Sequence, residues 1–296
     1  MSARDTDPGG ADAAKFHYAT RALPLEGAVL RYVDEGEGDP VLMLHGNPTW
    51  GFFYRRMIEA LRGSHRAVAP DHVGCGRSDK PAHYAYTLRQ HAANIETLID
   101  RLNLRDITLV VHDWGGAIGF AAAVRRPELF RRFVVLNTAA FFGRVPLRIR
   151  MCRPPLLGEA VVRGLNGFSR AALTMAVVHR ERMTPQVRAG YLEPYRTYAD
   201  RRAVLAFVRD IPTSPAQDSF HVIREIEKGL SRLVGRPMLI CWGGRDFCFN
   251  DAFLQEWRRR FPEAVVHRFD DAGHYVLEDA HERILPLVQA FLRNEA

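Results

Sequence analysis

The chain alternates short apolar runs with stretches in which apolar residues recur every three or four positions. The runs at His17–Arg21, Ala28–Asp34, Val41–Leu44, Arg66–Ala69, Ile107–Val111, Phe133–Leu136, Met238–Cys241 and Val265–Phe269 have strand length. Between them, Phe53, Met57, Ile58 and Leu61 share one helical face over Trp50–Leu61. Ile95, Leu98, Ile99 and Leu102 do the same over Thr87–Leu102, where Thr87 is placed to cap the first turn. Further helices are predicted over Gly115–Arg125, which Pro127 ends, and over Ala252–Phe261 and Arg283–Arg293. This alternation predicts an α/β fold with a mostly parallel central sheet and helices on both faces. It breaks after Gly143 and resumes near Arg224. A helical insertion at 143–225, after the sixth strand, is therefore expected in a core formed by 15–142 and 226–296. Such an insertion covers the carboxyl ends of the strands, where ligands bind in doubly wound sheets. Residues 1–14 read as a disordered tail.

Charge sharpens the same division. The formal net charge is +7, and only three of the 41 basic residues are lysines (Lys15, Lys80 and Lys228). Between Arg144 and Arg224 lie 14 arginines against six acids, so the insertion carries the whole excess. These arginines read as a solvated face able to dock an acidic partner or, at most peripherally, an anionic membrane. No binding motif or interleaved aromatics point to nucleic acid. No apolar run reaches the ~18 residues of a membrane span, and the first residues lack the apolar stretch of a signal peptide. Cys75, Cys152, Cys241 and Cys248 lack paired metal-ligand spacing, and a chain this long needs no disulfides to enclose a dry cavity. A reduced, cytoplasmic compartment is expected.

The chemistry concentrates at four places. LVVHDWGGAIG (109–119) runs an apolar strand into a turn and then a Gly/Ala-rich helix, the setting in which one side chain is held above a sheet edge. That side chain is Asp113, a carboxylate able to form an ester with a substrate carbon; the plainer reading is a helix cap. CWGGRDF (241–247) and DDAGHYVLED (270–279) then place Asp246 and His274 just after two later strands. The order nucleophile, acid, base is that of the α/β-hydrolase fold. His274 would move protons, and Asp246 would hold its tautomer. MLHGNPTW (43–50) adds Asn47, and the elbow adds Trp114, two neutral donors able to stabilise a departing anion.

Together HGNPTW, PDHVGCGRSDKP, VVHDWGG, WGGRDF and AGHYVLED resemble the haloalkane-dehalogenase branch of the α/β-hydrolases, over nearly the whole chain from Phe16. The resemblance implies Asp113 as nucleophile, His274 as base, Asp246 as acid, and Asn47 with Trp114 as leaving-group donors. Asn137 stands where one subfamily carries its Glu acid, which leaves that role to Asp246. The flanking and cap segments VLNTAAFFGRVPLRIRMCRPPLLGEAVVRGLNGFSRAAL (135–173), PYRTYADRRAVLAFVRDIPTSP (194–215) and FLQEWRRRFPEAVVHRFDDAGHYVLED (253–279) resemble the β-lactone decarboxylases of bacterial long-chain olefin biosynthesis. That resemblance implies conversion of a cis-β-lactone to a cis-alkene and carbon dioxide, without metal or redox cofactor. It also implies a hydrophobic small-molecule substrate and assembly with other olefin-pathway enzymes. Attack at the ring C–O carbon and attack at the lactone carbonyl both remain open.

Three rivals remain. A haloalkane dehalogenase would share all five site residues. An epoxide hydrolase would need lid tyrosines, for which Tyr191, Tyr195 and Tyr198 are available, but would leave Asn47 and Trp114 without a purpose. A non-enzymatic scaffold would be expected to have lost a triad member. In the insertion, Leu156, Leu157, Val161, Val162, Leu165 and Phe168 are expected to form an apolar face over the site, with Leu173, Met175, Val177 and Val178 extending it.

Overall fold

Eight strands hydrogen-bond into one sheet in the computed structural model, which describes residues 16–293. They are β1 (Arg21–Leu25), β2 (Ala28–Glu35), β3 (Pro40–Leu44), β4 (Arg66–Pro70), β5 (Ile107–Asp113), β6 (Phe130–Thr138), β7 (Met238–Gly243) and β8 (Val265–Phe269), in the order β1-β2-β4-β3-β5-β6-β7-β8. β2 is antiparallel to β1 and β4, and every later pairing is parallel. The central strands β3, β5, β6 and β7 are buried along almost their whole length, as continuous apolar runs covered on both faces require. The tail expected at 1–14 lies outside the described residues.

Helices α1 (Arg55–Leu61), α2 (Leu88–Arg101) and α3 (Trp114–Arg125) cover the sheet early in the chain. Thr87 caps α2, its side chain accepting from the Gln90 amide. The strand expected at His17–Arg21 is displaced to Arg21–Leu25. Tyr18 is buried because its hydroxyl reaches the Arg55 carbonyl and Glu59, not through any sheet pairing. The helix expected over Trp50–Leu61 is split, with a 3₁₀ turn at Gly51–Tyr54 before α1.

After β6 the chain leaves the sheet at Ala139. It runs through short helical turns at Leu147–Arg150 and Pro155–Gly158 and a wide turn at Glu159–Gly164. Then come α4 (Gly167–Met175), α5 (Pro185–Leu192) and α6 (Arg202–Asp210). Val162, Tyr195, Val204 and Leu205 give this excursion a small core of its own. Helix α7 (Asp218–Gly229) straddles position 225, yet its Val222, Ile223 and Ile226 belong to the main core beneath the sheet. Helix α8 (Asp251–Arg260) packs Phe253, Leu254 and Trp257 into that same core, while α9 (Val276–Leu292) packs with α1 against the opposite face. Helix α9 starts seven residues before the expected Arg283 and kinks at Ala280.

Candidate active site

Asp113 ends β5 with φ +51° and ψ −125°, a strained conformation that lifts its carboxylate off the sheet edge. Its side chain makes no cap bond to α3, which disposes of the plain helix-cap reading. Two neighbours make the turn feasible. The Thr138 hydroxyl donates to the Asp113 carbonyl, and Gly46 leaves the space that the carboxylate fills, where any Cβ would overlap it.

The two carboxylate oxygens have different surroundings. Oδ1 accepts from the Asn47 backbone N–H at 2.6 Å, while Oδ2 lies 3.6 Å from His274 Nε2. Burial pushes the Asp113 pKa up, and the imidazole of His274 and the Asn47 and Trp114 amides pull it part of the way back. On its other side, His274 Nδ1 meets Asp246 Oδ2 at 2.7 Å. Burial disfavours the imidazolium, but Asp246 and Asp113 together outweigh it and hold His274 above its ordinary value. Asp246 is itself fully engaged. Its Oδ1 accepts from the amides of Cys248 and Phe249, and its Oδ2 also accepts from Asn137 Nδ2 at 3.0 Å.

Asn137 is the residue that sequence reasoning left idle. Its amide spans β6 to β7, donating to Asp246 and the Gly243 carbonyl while its Oδ1 accepts from the Gly243 N–H. The only sequence signal was an amide at the position where the resemblance implies that one subfamily carries its Glu acid.

Asn47 and Trp114 both line a cavity of about 290 Å³ that has Asp113 and His274 in its wall. Asn47 Nδ2 donates to the Val204 carbonyl of α6 at 3.1 Å, which fixes the amide's orientation. One Nδ2 hydrogen is left for a ligand. Trp114 packs against Phe207 of the same helix. The remaining wall is mainly apolar, with Phe141, Phe142, Ile149, Phe168, Phe249 and Tyr275 prominent. Of these only Phe168 was expected; the Tyr275 hydroxyl is buried without a partner among the described residues.

The apolar face expected on the insertion divides. Val161, Phe168 and Met175 line the cavity, and Leu173, Val162 and Val177 are buried. Leu156, Leu157 and Leu165 instead project into solvent, because the short turns that carry them pack their opposite sides inward. The three lid tyrosines do not line the cavity. Tyr191 donates to Glu278, Tyr195 to the Thr49 carbonyl and Tyr198 to Glu159. That removes the acids an epoxide hydrolase would draw from the lid. Among the described residues no three His, Cys, Asp or Glu side chains gather as a metal site, and no helix is long and apolar enough to cross a membrane.

A family model described as alpha/beta hydrolase fold matches residues 39–281. The cis-3-alkyl-4-alkyloxetan-2-one decarboxylase of Shewanella oneidensis is 43% identical over 285 residues, covering 94% of this chain and 88% of that protein. Haloalkane dehalogenase 2 of Mycobacterium bovis is 34% identical over 278 residues, covering 92% and 94%. The crystal structure of a haloalkane dehalogenase from Agrobacterium tumefaciens C58 superposes with a TM-score of 0.85 at 26% identity, covering 96% of this chain and 99% of that one.

Proposed function

We propose, for a chain that belongs to the α/β-hydrolase family in the branch of the cis-β-lactone decarboxylases and haloalkane dehalogenases, that it converts a cis-3,4-dialkyl-β-lactone to a cis-alkene and carbon dioxide. The observation that carries this reading is the 43% identity to a decarboxylase over nearly the full length, against 34% to a dehalogenase.

The residues give the reaction a consistent course. Asp113 Oδ2 attacks the ring carbon that bears the ring oxygen, and that C–O bond breaks. The freed carboxylate is met by the Asn47 and Trp114 donors, while Asp113 is now an alkyl ester. The C–C bond to the carboxylate then breaks, its electrons form the double bond, and the Asp113 carboxylate leaves. Inversion in the first step followed by antiperiplanar loss in the second leaves both alkyl groups on the same side, so a cis-lactone yields a cis-alkene. Attack at the lactone carbonyl is less well served, because the Asn47 amide already holds Asp113 Oδ1. His274 would keep Asp113 ionised and its geometry fixed; no water need be activated. An apolar cavity suits long alkyl chains. The route this serves is long-chain olefin biosynthesis, with assembly among its other enzymes, in a cytoplasm that leaves all four cysteines free.

The deciding experiment supplies a synthetic cis-β-lactone in heavy-oxygen water to wild type and Asp113→Ala. Alkene and carbon dioxide are expected from wild type alone, with the Asp113 peptide unlabelled after many turnovers. A hydrolase that opens its ester with water would load solvent oxygen into that peptide. A β-hydroxy acid product, or halide release from a haloalkane with no turnover of the lactone, overturns the reading.

A further inference from the structure

The outer wall of the cavity, from Ala139 to Val178, carries six arginines and a single acid, Glu159. Glu159 is occupied by Arg163 and Arg209. Arg144, Arg148, Arg150 and Arg170 are exposed, and among the described residues none is ion-paired. Beside them, large apolar side chains stand in water: Leu147 is 69% exposed, Met151 56%, Leu156 88% and Leu165 72%. Single exposed apolar residues are ordinary, but four on one short stretch amid unpaired cations are not. The same wall forms the cavity mouth, since Gly143, Arg144, Arg148, Ala171 and Met175 are exposed and line the cavity at once.

We propose that this rim seats on an anionic lipid bilayer. The leucines and Met151 enter the boundary between headgroups and acyl chains, and the arginines pair with lipid phosphates. Charge sign and side-chain type together select this occupant. An acidic protein would satisfy the arginines but would need a shaped apolar complement for side chains that protrude singly from short turns, whereas a fluid bilayer conforms to them. The mouth then opens against the membrane, and a substrate with long alkyl chains reaches Asp113 without crossing water. That last consequence rests on the function proposed above; the seating itself does not.

The test is co-sedimentation of the full chain with vesicles of phosphatidylglycerol and phosphatidylcholine, against phosphatidylcholine alone. Wild type is expected to pellet with the anionic vesicles only and to be released as salt rises. Two double variants avoid the cavity wall, Leu147→Ser with Met151→Ser and Arg150→Glu with Arg170→Glu. Each is expected to lose about tenfold or more in affinity, the first through lost apolar insertion and the second through reversed charge. Both should keep the wild-type thermal midpoint and the turnover of a short, water-soluble β-lactone. Failure to pellet with anionic vesicles at low salt overturns the proposal, as does unchanged pelleting of both variants. Capture by polyglutamate that the Leu147→Ser with Met151→Ser variant retains, without vesicle binding, assigns the rim to an acidic protein and also overturns it. Pelleting is read without catalysis, so a failed decarboxylation assay leaves this result standing.

Discussion

In the proposed reaction Asp113 must be ionised to attack, and its burial sets where on the pH scale that happens. Because its pKa is raised, kcat/KM is expected to fall on the acid side at a pH above the ordinary carboxylate range. The cationic form of His274 pulls that pKa down, so His274→Gln should move the acid limb to higher pH; a limb that stays in place refutes the coupling. Asn47→Ala removes one of the two donors proposed for the departing group, and a loss of about 10²-fold in kcat is expected on the lactone, measured at saturating substrate. These residues were legible in the sequence because each sits in a local motif directly after a strand. Asn137 was not. Its partners Gly243 and Asp246 lie more than a hundred residues away, and only the β6–β7 pairing brings them together.

At the scale of elements, one carboxylate fastens the insertion to the histidine loop. Asp279 accepts from the amides of Val178, His179 and Gly273, and beside it the Tyr275 N–H donates to the Ala176 carbonyl. Asp279→Ala would leave those amides without partners at about 1–3 kcal/mol for each buried one. A lower thermal midpoint and faster hydrogen exchange confined to 176–179 and 273–275 are the expected results. Thr87→Ala, by contrast, should cost about 1 kcal/mol through the lost cap, read by denaturant titration. Periodicity revealed α2 because its charged residues face water. It missed the start of α9 because Glu278 and Asp279 are buried there, a pattern that reads as loop until their partners are known.

Across the whole molecule, the Arg55–Glu278 pair ties α1 to α9. Arg55 Nη1 meets Glu278 Oε1 at 2.6 Å, both side chains are 2% exposed, and Tyr191 of α5 donates to the same oxygen. Burial works against the Glu278 carboxylate, but Arg55 outweighs it and lowers the pKa. A lowered native pKa contributes stability above the ordinary carboxylate range that is lost as pH falls through the native value. Glu278→Gln leaves Arg55 buried without its counter-charge, so a cost of about 3–5 kcal/mol and an acid-unfolding midpoint at higher pH are expected. The sheet and its long insertion were legible from the alternation and its interruption. The way the insertion meets the core was not, because it depends on side chains such as Tyr191 whose partners are set by tertiary packing. One such meeting point is the Val204 carbonyl, which aims the amide of Asn47 from above. The core places Asp113, His274 and Asp246, whereas α6 sets the direction of this donor. Transplanting α6 from a dehalogenase should retune which leaving anion is best received, with the machinery below untouched.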